Sequence, residues 1–135
     1  KIHNNRVPDP FLQDRAWHLP RIIDDTMLAR MREAALGFVG THDFTSFMAE
    51  GGDVTSAVRT VMSFTVERCC DLLSFRVRAD GFLYNMVRIM VGTLAEVGAH
   101  RLLPGQIPAM LAAKDRKQAG PLAPACGLML MEVTY

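Results

Sequence analysis

Arg88 has the setting in this sequence that most calls for chemistry. It lies inside Gly81-Phe82-Leu83-Tyr84-Asn85-Met86-Val87-Arg88-Ile89-Met90-Val91-Gly92, an apolar run with one charge in its middle. No carboxylate stands three or four positions away, so a helix-surface ion pair is excluded. A guanidinium so placed either reaches water along its own stem or meets an acid or phosphate brought from elsewhere in the fold. The pair His42-Asp43 invites a metal or acid–base reading. Neighbours in sequence rarely face one site, however, and no other His or acid stands at ligand spacing, since His3, His18 and His100 are scattered. No metal site is expected, and Asp43 reads as a cap on nearby backbone N–H groups. Thr45 and Ser46 lack an evident base, and there is no nucleophile elbow, phosphate-binding glycine loop or dinucleotide fingerprint.

The elements that must position these residues follow from periodicity. Residues 5–23 hold Pro8, Pro10, Pro20 and an isolated Trp17, and read as an extended connector. Asp24, Asp25 and Thr26 supply N-cap chemistry for a helix over 25–39, with Met27, Leu28, Met31, Ala35 and Phe38 inward and Gly40 as its stop. Residues 40–47 read as a polar and aromatic loop, and Glu50-Gly51-Gly52-Asp53 as a flexible tip. A hairpin is expected from strands 59–67 and 72–78, turning at Cys69-Cys70-Asp71, with Arg76 and Arg78 on one face. Asp80-Gly81 opens the Arg88 helix (83–97). Its stripe is Leu83, Val87, Met90, Val91, Leu94 and Val97, and Arg88 shares the other face with Tyr84, Gly92 and Ala95. Pro104 starts a shorter helix to about 113 with Ile107, Met110 and Leu111 inward. Residues 127–135 read as a final strand, apolar on both faces except at Glu132. The order predicts an α+β fold, a mainly antiparallel sheet with helices on one face.

Composition narrows the class. The chain has 135 residues, half of them hydrophobic, enough for a single core. Its net charge of +1 does not by itself nominate a nucleic-acid binder. Twelve of its fifteen cations are Arg, however, the residue better suited to phosphate forks and base stacking. Three cysteines without CxxC spacing fit a reduced, cytoplasmic protein with neither a disulfide framework nor structural zinc. No stretch approaches a membrane span, and no signal peptide is read. The start at Lys1-Ile2-His3-Asn4 reads as the tail of a strand already in progress, which suggests a fragment.

Five segments carry a family resemblance: Gly40-Thr41-His42-Asp43-Phe44-Thr45-Ser46-Phe47, Val58-Arg59-Thr60-Val61, Phe82 to Leu94 around Arg88, Lys114-Asp115-Arg116, and Ala125-Cys126-Gly127-Leu128-Met129-Leu130. In this order and spacing they resemble the C-terminal half of the tRNA pseudouridine synthase A family, with residues 1–135 as that half and 1–23 as entering strand tail and connector. The resemblance implies isomerisation of uridine to pseudouridine in the anticodon stem-loop of tRNA, with no metal or organic cofactor. It implies an Asp nucleophile, whose covalent adduct lets the detached uracil rotate and rejoin through carbon, and a Tyr stacking on a base drawn out of the helix. It further implies an Arg that holds the Asp ionised and oriented, matched by Arg88, and a Leu pocket wall, matched by Leu128.

The departures shape the expectation equally. The family's nucleophile lies in a Gly-Arg-Thr-Asp-Ala-Gly-type motif that does not occur here, and Asp43, Asp53, Asp80 and Asp115 stand in other contexts. The stacking Tyr belongs to the strand that residues 1–4 finish. The chain is therefore expected to be inactive alone, with tRNA and the missing N-terminal half of the same protein as partners and a homodimer left open. Arg88 should then face an open concave surface beside Leu128 with at most a weak protein partner, and its removal should cost little stability. Arg59, Arg78, Lys114, Arg116 and Lys117 are candidate phosphate contacts. The alternatives are a non-catalytic RNA-binding module, which would usually display about two or three stacking aromatics on its sheet, and a dimerisation module.

Overall fold

The computed structural model describes residues 1–49 and 55–131. In chain order its elements are β1 (Ile2–His3), β2 (Trp17–His18), α1 (Asp25–Leu36), β3 (Gly40–Asp43), β4 (Val58–Cys69), β5 (Leu72–Ala79), α2 (Met86–Gly98) and α3 (Ile107–Ala113), with short 3₁₀ turns between them. The strands form one sheet in the order β2-β1-β5-β4-β3. Among the described residues, only β1 and β2 run parallel. This is the expected α+β arrangement.

The hairpin of β4 and β5 is the spine. Period-two alternation sends Phe64, Val66 and Val77 inward, with Phe64 opposite Val77 and Val66 opposite Phe75. Ser63 opposite Arg78 and Thr65 opposite Arg76 form the outer, solvent-facing side. Cys70, with φ 55°, makes the tight turn, and a bulge lies between Val61 and Ser63. The helices bury their apolar stripes in a single core. Met31, Ala34, Ala35 and Phe38 meet Met86, Ile89, Met90, Leu94 and Val97, with Phe44 and Phe47 also fully buried. Arg32 Nε donates to Val66 O at 2.8 Å, fastening α1 across β4.

Several boundaries depart from the sequence expectations. α1 stops at Leu36, because Gly37 N–H turns back to the carbonyls of Ala34 and Ala35. Gly40 instead begins β3, so the expected loop 40–47 is a strand pairing with β4, followed by a 3₁₀ turn over Thr45–Phe47. The connector is more ordered than its prolines suggest: Trp17 pairs with Ile2, and the buried Asn4 side chain pins 19–23. Its Nδ2 donates to Leu19 O (3.0 Å) and Arg21 O (2.6 Å), and its Oδ1 accepts from Ile23 N–H (2.9 Å). α2 begins at Met86 rather than near 83, and its stripe is rotated. Met86, Ile89, Met90, Leu94 and Val97 are buried, whereas Val87 and Val91 are only half-buried.

The final strand is the largest correction. Gly127 closes a 3₁₀ turn over Ala125–Gly127, and residues 128–131 have no regular structure. A strand forms only where a neighbour can take its N–H and C=O groups, and among the described residues no ladder reaches this segment. Residues 132–135, with Glu132, and the expected tip at 50–53 lie outside the described residues.

Candidate active site and RNA-facing residues

Arg88 sits on the first turns of α2, where the chain enters through a left-handed residue. Asn85, the N-cap, has φ 58° and ψ 14°. Few residue types besides Gly tolerate that conformation as well as Asn. Its side chain makes no capping bond to the helix; its Oδ1 accepts from Arg88 Nη1 at 3.2 Å. Arg88 Nε donates to Ala123 O at 2.7 Å, and Ala123 N–H returns a bond to Arg88 O at 3.1 Å. The expectation of at most a weak protein partner is therefore corrected: a backbone carbonyl and an amide side chain hold this half-buried guanidinium. A guanidinium has five N–H donors, so two fixed contacts leave donors over. Among the described residues, Nη2 makes no hydrogen bond or ion pair.

The segment that supplies Ala123 O lies against the middle of α2. A Cβ on Gly92 would overlap the Pro121 carbonyl, and one on Gly120 would stand 2.6 Å from Thr93 Cα. Two glycines thus allow helix and segment to touch. Thr93 Oγ1 links them, donating to Ile89 O (2.8 Å) and accepting from Gly120 N–H (2.9 Å). Arg116 Nη1 donates to Gly120 O at 2.8 Å. Arg88 and Arg116 therefore grip the two ends of one short segment.

The remaining predicted site residues are spread out. Leu128 is 52% exposed and begins the run Leu128-Met129-Leu130-Met131, whose side chains all face solvent. Arg59 lies along Gly81, and its Nη1 donates to Ser56 O (2.8 Å) and Val58 O (2.7 Å). Lys114, left-handed at the C-terminus of α3, approaches Asp43 Oδ2 at 3.8 Å. Arg78 is on the outer sheet face and Lys117 on an exposed turn, and neither side chain is paired among the described residues. Asp43 Oδ1 accepts from the hydroxyl (2.5 Å) and N–H (2.9 Å) of Thr45. Those bonds, the hydroxyl first, hold its carboxyl below the ordinary value, with Lys114 adding to the effect. Asp43 thus fastens the turn after β3. Among the described residues no three His, Cys, Asp or Glu side chains converge as metal ligands, and no helix is long and apolar enough to cross a membrane.

Sequence reasoning missed Asn85, Ala123 and the close contacts of Gly92 with Pro121 and of Gly120 with Thr93. The one available signal was a glycine inside a helix, four residues after Arg88, where glycine is costly unless something packs against it.

The chain is an α+β protein of the tRNA pseudouridine synthase family, whose family profile matches residues 34–135. Over 134 residues the chain is 51% identical to the tRNA pseudouridine synthase A of Moorella thermoacetica, covering 99% of this chain and 53% of that protein. The tRNA pseudouridine synthase A of Bacillus pumilus is 45% identical over 135 residues, covering 100% and 53%. That of Bacillus subtilis is 41% identical over 134 residues, covering 99% and 53%. The chain spans about half the length of the curated relatives it matches.

Proposed function

We propose that this chain is the C-terminal half of the catalytic region of a tRNA-modifying isomerase that converts uridine to pseudouridine in the anticodon stem-loop. Arg88 is the partner of an Asp nucleophile carried by the other half, and Leu128 is a wall of the uridine pocket. The observation that carries this reading is Arg88 itself. It is held at two donors, it is half-buried, and no carboxylate among the described residues meets it. An arginine fixed in this way suits an acid arriving from outside the chain, whose ionised form it would stabilise. The exposed run 128–131 supports the same reading, since contiguous apolar surface of this kind marks a place where another element belongs. The N-terminal half and tRNA are the partners. Arg59, Arg78, Lys114, Arg116 and Lys117 contact backbone phosphates, with Arg78 and Lys117 the freest to do so. The reaction is an isomerisation within one nucleotide and calls for no cofactor.

The test is direct. Anticodon stem-loop RNA is incubated with this chain alone and with the full-length protein that carries it, and pseudouridine is assayed. The reading predicts product only from the full-length protein. Turnover by the chain alone would place the nucleophile among Asp43, Asp80, Asp115 or the other acids present here.

A further inference from the structure

We infer that Asn85 is a positioning residue for Arg88, fixing the plane of its guanidinium so that Nη2 is held ready for an incoming carboxylate. This rests on the reading of Arg88 as the partner of the nucleophile.

Two local departures coincide at Asn85. A non-glycine residue in the left-handed region stores strain, and such residues cluster where function requires them. An N-cap Asn ordinarily accepts from a backbone N–H one turn on, a bond typically worth about 1 kcal/mol to the helix. Asn85 forgoes that bond and gives its Oδ1 to Arg88 Nη1. The left-handed backbone is what turns the side chain away from the helix N–H groups. Both departures therefore have one visible consequence, the second anchor on Arg88.

One acceptor would leave the guanidinium free to swivel about the Nε contact. Ala123 O on Nε and Asn85 Oδ1 on Nη1 are two acceptors on a rigid planar group, and together they set its plane. The Ala123 carbonyl is itself fixed by the Gly92–Pro121 contact, the Thr93–Gly120 bond and the grip of Arg116 on Gly120 O. The ordering of a long side chain is thus complete before any acid arrives, which is how preorganisation favours the reacting geometry.

The test uses the full-length protein under single-turnover conditions with tRNA. Asn85→Gly keeps the left-handed backbone without strain and removes Oδ1, so the fold should be retained with an unchanged or raised melting temperature. The expected result is a turnover rate about tenfold lower, the scale of one hydrogen bond to a charged group, with tRNA affinity unchanged. In the Arg88→Lys background the same substitution should have no further effect, because the group it positions is gone. A full rate for Asn85→Gly, a loss of affinity instead of rate, or an equal loss with and without Arg88 would overturn the inference. A full rate for Arg88→Lys alone would show that the reading of Arg88 had failed, and the inference with it.

Discussion

Asp43 and Arg88 show how far a single residue's role can be read from its neighbours. Asp43 was legible as a capping residue because a short acid followed by Thr is a local arrangement, completed within two positions. Its carboxyl is held below the ordinary 3.8, chiefly by the Thr45 hydroxyl. A group whose folded value is depressed gives stability that is present above its unfolded value and lost as pH falls through the folded one. That contribution should therefore begin to fall below about pH 3.8 and be gone once the pH is below the depressed folded value, and Thr45→Val should move the Asp43 carboxyl titration, followed by NMR, up toward the ordinary value. No movement would show that the hydroxyl bond does not control the acid. Arg88 was legible as an unpaired charge, but its two anchors were not. Ala123 is thirty-five positions away and contributes a backbone carbonyl, which no side-chain pattern announces. Those anchors also revise the expected cost of removing it. Arg88→Met should destabilise the fold by about 1–2 kcal/mol in denaturant titrations, because Ala123 O loses a charged donor.

At the scale of elements, alternation and helical stripes gave the hairpin, α1, α2 and α3 within a few residues, since each buries one face. The elements that escaped are those whose reason lies elsewhere in the chain. β3 exists because β4 offers an edge, although residues 40–47 look polar and turn-like. β2 exists because β1 lies beside Trp17 in a segment rich in proline. The expected strand from 127 fails over 127–131 for the complementary reason: among the described residues no ladder forms there, the Lys1 ammonium donating to Gly127 O (2.8 Å) being a single bond at the segment's start. The contact between α2 and residues 120–123 should be brittle. Gly92→Ala drives a methyl into the Pro121 carbonyl, which is backbone and cannot swing aside. It should cost roughly 1–3 kcal/mol, the range for overpacking, although alanine is the better helix former. It should also lower turnover of the full-length protein by displacing Ala123 O. Retained stability and rate would mean that the segment is free to shift. Asn4→Ala removes three bonds at a buried site and should cost about 2–4 kcal/mol by the same denaturant measurement, since it leaves Ile23 N–H and two carbonyls unsatisfied.

For the whole molecule, the family was legible because five segments recur in order and spacing, and the matched profile and relatives agree with that reading. The site was legible only in part, because the acid proposed to meet Arg88 is assigned to the other half of the protein. The proposed division of labour places affinity in dispersed cations and chemistry at Arg88. Binding of the full-length protein to tRNA should then weaken steeply with salt, as phosphate contacts require, and Arg78→Ala or Lys117→Ala should reduce that slope by about one each without slowing the chemical step. The central claim is that Arg88 serves the reacting centre, and the most direct measurement is single-turnover pseudouridine formation by the full-length protein and its Arg88→Met variant, with tRNA affinity measured in parallel. The account predicts a turnover loss of a hundredfold or more, on the order of 3 kcal/mol of transition-state stabilisation, with affinity nearly unchanged. Intact turnover with weakened tRNA binding would contradict it and make Arg88 a phosphate contact.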